Sequence, residues 1–574
     1  MSALPPTTAR NQTSVPDKDG RPMFNWSLTS SSITDVVGLI VKLDVLPVIF
    51  VPGIMGSNLR QLKGGKSVWR LDAGPNNKPT GLVAAMWSAS AGERQALLHP
   101  DRTQVDPGGA VAEGVGFNDE KALRARGWGT VAQTSYGGFL RWLEETLNPQ
   151  EHNPALWHDF YQDQATISAP PKPGDRPKLF PGIRMGVKGQ PFSAEMPFDP
   201  VLTDDLLMRS RFWMPVHAVG YNWLASNAEA AEGELKPAIE DIMRGYNKNH
   251  FSCKQVILVT HSMGGLVARA CAKLPGMEKS IAGIVHGVMP ATGAAVAYRR
   301  CKVGMRDEGS GVEGYVGAKV IGRTGREVTS VFAQAPGALQ LLPSKDYGAG
   351  WLSVIQGPST QHRWPIADPY EEIYKVRDKW WGLVNEAWLA PKDGVPIKWK
   401  EFTESVDSAR DFHEHIAGKY HPSTYVFYGA DKEQPSFERI NWRMKSGNAP
   451  DSKQAPRMAQ VLGLSSGQVR LDGVTPEFVP GPQVHEVVAT PYGVSAVDYE
   501  SSYWELHCEK HDAIGDGTVP ESSGRSPRER GGGNVKQQFK LMGFAHEPAF
   551  NNTTARNATL YAITKLAGRA KIES

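Results

Sequence analysis

Residues 255–269, reading QVILVTHSMGGLVAR, constrain the fold more than any other stretch. Val256 to Val259 form a β-branched apolar run, which reads as a strand buried on both faces of a parallel sheet. Small residues follow at a sharp turn, and an Ala-rich, Arg-containing segment then begins a helix that packs back on the sheet. Ser262 sits at the bend. Such a turn exposes a serine oxygen at the C-terminal edge of the sheet and aims a helix N-terminus at developing negative charge. The G-x-S-x-G pattern for this turn has Gly two residues before the serine; here Thr260, still small, stands in its place. Gly264 and Gly265 leave room for the helix to approach the strand. An ordinary βα turn with a structural serine has the same residue types, so the serine gains chemical meaning only if an acid and a base follow it.

In α/β-hydrolases the chain order is Ser, then Asp or Glu, then His. Two polar turn-like sites near the C-terminus fit that order: Gly515-Asp516-Gly517-Thr518-Val519-Pro520, and Gly543-Phe544-Ala545-His546-Glu547-Pro548. Strand-like segments at 501–506 and 536–542 precede them. A further carboxylate, Asp431, ends the apolar run 423–431 and is a rival for the acid.

Earlier in the chain, 46–51 reads as another buried strand, and it runs into Pro52-Gly53-Ile54-Met55-Gly56-Ser57. This fold builds its oxyanion hole from the amide after the nucleophile and one from the loop after an early strand. Met263 and Ile54 are the natural donors. A helix is expected over 136–147, with Phe139, Leu140, Leu143 and Leu147 on one face. Residues 215–223 read as a strand with its exit loop, 228–246 as the crossover helix, and 281–290 as a further strand. This alternation implies a mostly parallel sheet flanked by helices.

The segments between are irregular. The expected organisation is an N-terminal arm over 1–45 and a core over 46–574, built from about 46–60, 201–299 and 423–574. Large cap or lid insertions at about 61–200 and 300–422 interrupt it. Trp351, Leu352, Trp380 and Trp381 in the second insertion are expected contacts for a lipid interface, because aromatic rings favour the boundary between water and acyl chains; a second small core fits the same composition.

Charge and cysteine content remove other classes. Lys and Arg total 63 against 60 Asp and Glu, with no basic block able to neutralise phosphates, so no nucleic-acid partner is expected. The 4 cysteines are scattered, which implies no disulfide framework and no C-x-x-C zinc site. His507, Cys508, His511 and Asp512 match no common metal spacing; no metal and no cofactor is expected. The N-terminus has no apolar h-region of a signal peptide, and 36–51 is broken by Lys42, Asp44 and Pro47, so no membrane span is expected there.

The motifs Pro52-Gly53-Ile54-Met55-Gly56-Ser57, Gly220-Tyr221-Asn222-Trp223, His261-Ser262-Met263-Gly264, Leu341-Leu342-Pro343-Ser344 and Gly515-Asp516-Gly517-Thr518-Val519 resemble, in this order, those of the lecithin:cholesterol acyltransferase and lysosomal phospholipase group. The resemblance implies an α/β-hydrolase fold with Ser262 as nucleophile, Asp516 as acid and, thirty residues later, His546 as base. It favours Asp516 over Asp431. A narrower resemblance, carried by 286–295 and 546–550, is to bacterial type VI secretion lipase effectors. That implies a membrane phospholipid substrate, a cognate immunity protein, secretion-apparatus partners and delivery from the producing cytoplasm into a target-cell periplasm. A housekeeping esterase, an acyltransferase with the same triad and a non-catalytic binding module of the same fold remain as alternatives.

Overall fold

The computed structural model describes residues 44–72, 89–148, 193–305, 322–448 and 502–572, apart from 116–117, 357 and 378, with strand backbone at 8–13, 15–16, 22–23, 36–41, 468–471, 489–490 and 493–494. In chain order the elements used below are β1 (Val48–Val51), α1 (Gln133–Leu147), β2 (Val216–Ala218), α2 (Lys236–Lys248), β3 (Val256–His261), α3 (Gly264–Cys271), β4 (Ile281–Gly287) and α4 (Ala295–Val303). They continue with β5 (Leu352–Gln356), β6 (Ser359–Trp364), α5 (Trp399–Ile416), β7 (Thr424–Gly429), β8 (Asp431–Ser436), β9 (Ile440–Asn448) and β10 (Gln468–Leu471). Last come β11 (Ser502–Cys508), β12 (Ala513–Gly515), α6 (Glu521–Arg530), β13 (Val535–Leu541) and α7 (Thr553–Ala567).

The apolar runs become a six-stranded sheet in the order β2-β1-β3-β4-β7-β13, every pair parallel. Successive strand residues point to opposite faces, and here both faces are covered. Ile49, Val51, Val256, Leu258 and Ile284 share one core with Leu266 and Val267 of α3. Val48, Phe50, Ile257, Val259 and Val285 share the other with Phe139 and Leu143 of α1 and Tyr561 of α7. A strand that must be apolar on both sides cannot alternate with polar residues, which is why these runs read as continuous.

The strand order also locates a crevice. From β1 the chain crosses outward to β2, returns past β1 to β3, and then proceeds the other way through β4 and β7 to β13. The winding therefore reverses between β1 and β3, and it is outside the carboxyl ends of strands at such a reversal that ligands bind in open α/β sheets. The loop 52–57 and the turn at Ser262 leave the sheet there, side by side.

A second sheet has the order β6-β5-β9-β11-β10 and mixed directions: β5 pairs with β9 in parallel, the other pairs are antiparallel. It joins β5 and β6, from the stretch expected to be an insertion, to β9, β10 and β11, from the stretch expected to belong wholly to the core. Its inner residues Leu352, Val354, Ile440, Trp442 and Leu506 extend the core on the α3 side of the main sheet. Trp351 and Leu352 are 2% and 0% exposed, so the expectation that they contact a lipid interface is corrected: they are interior packing. Trp380 and Trp381 are half-buried, with Trp381 stacked on Trp364 at 4.9 Å. Among the described residues no helix is long and apolar enough to cross a membrane.

Candidate active site

Ser262 leaves β3 with φ 51, the left-handed region that a side chain with a Cβ rarely enters. Its amide donates to the Gly287 carbonyl at the end of β4 at 2.9 Å, which fixes the turn to the neighbouring strand. Helix α3 starts two residues later and lies close under β1. A Cβ on Gly264 would run into the carbonyl oxygens of Val51 and Pro52, so glycine there is what lets the helix N-terminus come up to the serine. Thr260, where the motif has glycine, is accommodated because its side chain faces into the sheet; its Oγ1 lies 2.9 Å from His286 Nδ1.

His546 stands over the serine. Its Nε2 is 2.8 Å from Ser262 Oγ and its Nδ1 is 2.8 Å from Asp516 Oδ2. A carboxylate only accepts, so Nδ1 carries the hydrogen and the bare Nε2 faces the serine hydroxyl. Asp516 is 1% exposed and lies in the turn after β12. Its other oxygen accepts from the amides of Thr518 at 3.0 Å and Val519 at 2.7 Å. The backbone ties acid to base as well, since the His546 amide donates to the Asp516 carbonyl at 2.7 Å. Three side chains from three distant segments thus form one directed path, in which a serine proton can pass to an imidazole whose cation a buried carboxylate stabilises.

Asp431 does not reach this path. Its carboxylate accepts from the amides of Glu433 at 2.9 Å and Gly543 at 2.7 Å, so it braces the start of the loop that carries His546. The other polar residues singled out are also accounted for locally. Asp512 accepts from the Glu438 and Arg439 amides, and His511 packs on Phe437 with ring centroids 4.1 Å apart. His507 and Cys508 lie on β11, paired with β9.

The loop after β1 abuts the serine. A Cβ on Gly53 would lie 2.8 Å from His261 Nδ1 and 3.0 Å from Ser262 Cβ, so only glycine allows this approach. The Gly56 amide donates to the Gly53 carbonyl at 3.0 Å, and Met55 at the turn has φ 64. Among the described residues the amides of Ile54 and Met263 have no protein acceptor. Those are the two N–H groups singled out for an oxyanion.

Sequence reasoning gave His261 no role beyond its place in the motif with Ser262 and did not connect Tyr136 to the site. His261 is 3% exposed, and burial pushes its imidazole down to about 3, which keeps it neutral. Its Nε2 is 2.9 Å from the His546 carbonyl and its Nδ1 is 3.0 Å from the Tyr136 hydroxyl. A separation of 125 residues leaves no spacing signal for that contact.

This fold and this arrangement define an α/β-hydrolase. Residues 229–305, from the crossover helix through the elbow to α4, match the family described as PGAP1-like alpha/beta domain. In the crystal structure of the Tle4–Tli4 complex, one chain is 28% identical over 92% of this chain and 99% of its own, with a TM-score of 0.65. Phospholipase PlaB from Legionella pneumophila aligns over 52% of this chain and 72% of its own at 10% identity with a TM-score of 0.15, a likeness that carries no argument. No curated protein matches the chain.

Proposed function

We propose that the chain is a serine-dependent lipolytic hydrolase that cleaves carboxylic esters of phospholipids through an acyl-enzyme. His546, oriented by Asp516, takes the Ser262 proton as Oγ attacks the ester carbonyl. The tetrahedral oxyanion is held by the Ile54 and Met263 amides, each lowering the barrier by roughly 3 kcal/mol. Collapse expels the lysolipid alcohol, which receives the proton from His546. Water, deprotonated by the same imidazole, then releases the fatty acid and restores the serine. The single observation that carries the reading is the directed path Ser262–His546–Asp516 at 2.8 Å and 2.8 Å, built on a positive-φ turn at the winding reversal of the sheet.

Lipid rather than a small ester is supported by the motif resemblance and by the likeness to the Tle4 chain over nearly the whole of both proteins. The same likeness supports a type VI effector that is held by a cognate immunity protein, with delivery to the target-cell periplasm as its setting. In this reading segments 61–200 and 300–422 stand as insertions on the hydrolase core, and β9 to β11 complete the sheet that the second one begins.

A fluorophosphonate probe tests the nucleophile. Labelling of the wild type at Ser262, abolished in Ser262→Ala, is expected; equal labelling of both would end the proposal. Products analysed with and without an added alcohol separate hydrolysis, which gives free fatty acid in either case, from acyl transfer, which gives a new ester.

A further inference from the structure

Two buried side chains outside the proton path join its two halves. The hydrogens along this link follow from partner chemistry and from the burial that keeps His261 neutral. The His546 carbonyl only accepts, so His261 Nε2 must donate to it, at 2.9 Å. A neutral imidazole then has a bare Nδ1, which accepts from the Tyr136 hydroxyl at 3.0 Å. That leaves a lone pair on the Tyr136 oxygen, which accepts from the Gly53 amide at 3.2 Å. One consistent set of hydrogens satisfies every group, running from the loop after β1, through the first turn of α1 and the end of β3, to the loop after β13.

What this link fixes is geometry. The backbone of His546 is held on both sides, its amide by the Asp516 carbonyl at 2.7 Å and its carbonyl by His261. The peptide unit between Gly53 and Ile54 is held by the Gly56 amide on its carbonyl at 3.0 Å, with Tyr136 on the amide immediately before it. The base and one oxyanion donor lie on loops far apart in sequence, and each must be correct to a fraction of an ångström relative to the serine between them. Tyr136 and His261 are each 3% exposed, so water does not compete for these bonds.

We propose that Tyr136 and His261 are positioning residues for the reaction, a rigid hydrogen-bonded strut that sets the His546 imidazole and the Gly53–Ile54 amide relative to Ser262 in one step. The inference rests on the function proposed above. It assigns neither residue a proton transfer.

Turnover of a short soluble ester, fluorophosphonate labelling rate and a thermal melt, measured on the full chain, test it. Tyr136→Phe keeps the ring and removes both bonds; His261→Leu cuts the link at its centre. Each is expected to lower kcat and labelling rate by about 10- to 100-fold with KM within about twofold, the range for a sub-ångström misplacement of reacting groups. His261→Gln, whose amide nitrogen can still donate to the His546 carbonyl, should recover most of the loss at a melting temperature no higher than that of His261→Leu. Tyr136→Phe turning over within twofold of wild type would overturn the strut, and so would His261→Gln as slow as His261→Leu. If His261→Leu does not fold, Tyr136→Phe alone decides. Ser262→Ala separates the two proposals: if it retains turnover the hydrolase reading fails, whereas if it is inactive while Tyr136→Phe is as fast as wild type, only the strut falls.

Discussion

The six-stranded parallel sheet and the five-stranded mixed sheet differ in strand direction and in what their ends carry. The parallel sheet places Ser262 after β3, the Gly53–Ile54 loop after β1 and His546 after β13, all at one edge, because parallel strands release all their C-terminal loops on the same side. Asp516 enters that edge from the short β8–β12 pair. The mixed sheet has strands running both ways, so its loops scatter to both edges, and none of the groups at the site comes from it. Its strands instead deliver Leu352 and Trp442 to the interior, with Trp351 just before β5. Parallel pairing therefore gathers the groups of the candidate site at one edge, which the mixed directions of the second sheet do not do.

The contrast breaks first at the chemistry. Ser262→Ala and His546→Ala are each expected to lower kcat by about 10⁴-fold or more, while the melting temperature stays within a few degrees, since both residues lie outside the two large apolar cores. Substantial activity in either would detach function from the edge of the parallel sheet. Asp516→Asn should come close to that loss, because an amide in place of the carboxylate misorients the imidazole; Asp431→Asn, which touches only backbone amides, should cost less than about tenfold. Reversal of that order, read from kcat/KM of the two variants, would move the acid to Asp431.

The mixed sheet should respond in the opposite sense. Leu352→Ala is expected to destabilise the fold by about 2–5 kcal/mol through lost burial and the cavity left behind, with activity on vesicles and on a soluble ester falling together as the protein melts. Selective loss on vesicles at an unchanged melting temperature would restore an interfacial role to this region. The parallel sheet also carries a pH dependence. His217 on β2, His261 on β3 and His286 on β4 are buried, and burial holds each down at about 3. The unfolded chain takes up these protons below about 6.5 and the folded one does not, so the stability they represent is complete above that pH and is lost as pH falls toward 3. The slope is about 1.4 kcal/mol per pH unit for each histidine. Melts between pH 7 and 5 should show the decline, and His286→Gln should make it shallower by the share of one histidine; a pH-independent melting temperature would contradict the buried neutral state.

These differences explain what was legible in the sequence. The parallel strands were, because burial on both faces forces continuous apolar runs such as Val256 to Val259. The elbow was, despite Thr260, because Gly264 answers a steric need that no other residue meets. The pairing of Asp516 with His546 was legible through motif resemblance, and Asp431 remained its rival because a carboxylate at a strand end looks the same whether it orients a histidine or caps a loop. The pairing of the mixed sheet was not legible, although 501–506, now in β11, read as a strand: β5 pairs with β9 across the whole of α5 and β7, and its apolar pieces carry no mark of their partners. For the same reason Trp351 and Leu352 read equally well as surface contacts and as core. The strut through Tyr136 was hidden too, since a tyrosine at the start of an amphipathic helix reads as packing, and only the fold brings its hydroxyl to His261.

The proposed attack of Ser262 on phospholipid esters is tested by mass spectrometry of phospholipid vesicles incubated with wild type and with Ser262→Ala. Release of free fatty acid and the matching lysophospholipid by the wild type, reduced to the level of untreated vesicles in Ser262→Ala, is the predicted result. Equal release by both proteins, or intact phospholipid with a wild type that is folded and labelled by a fluorophosphonate, would contradict it.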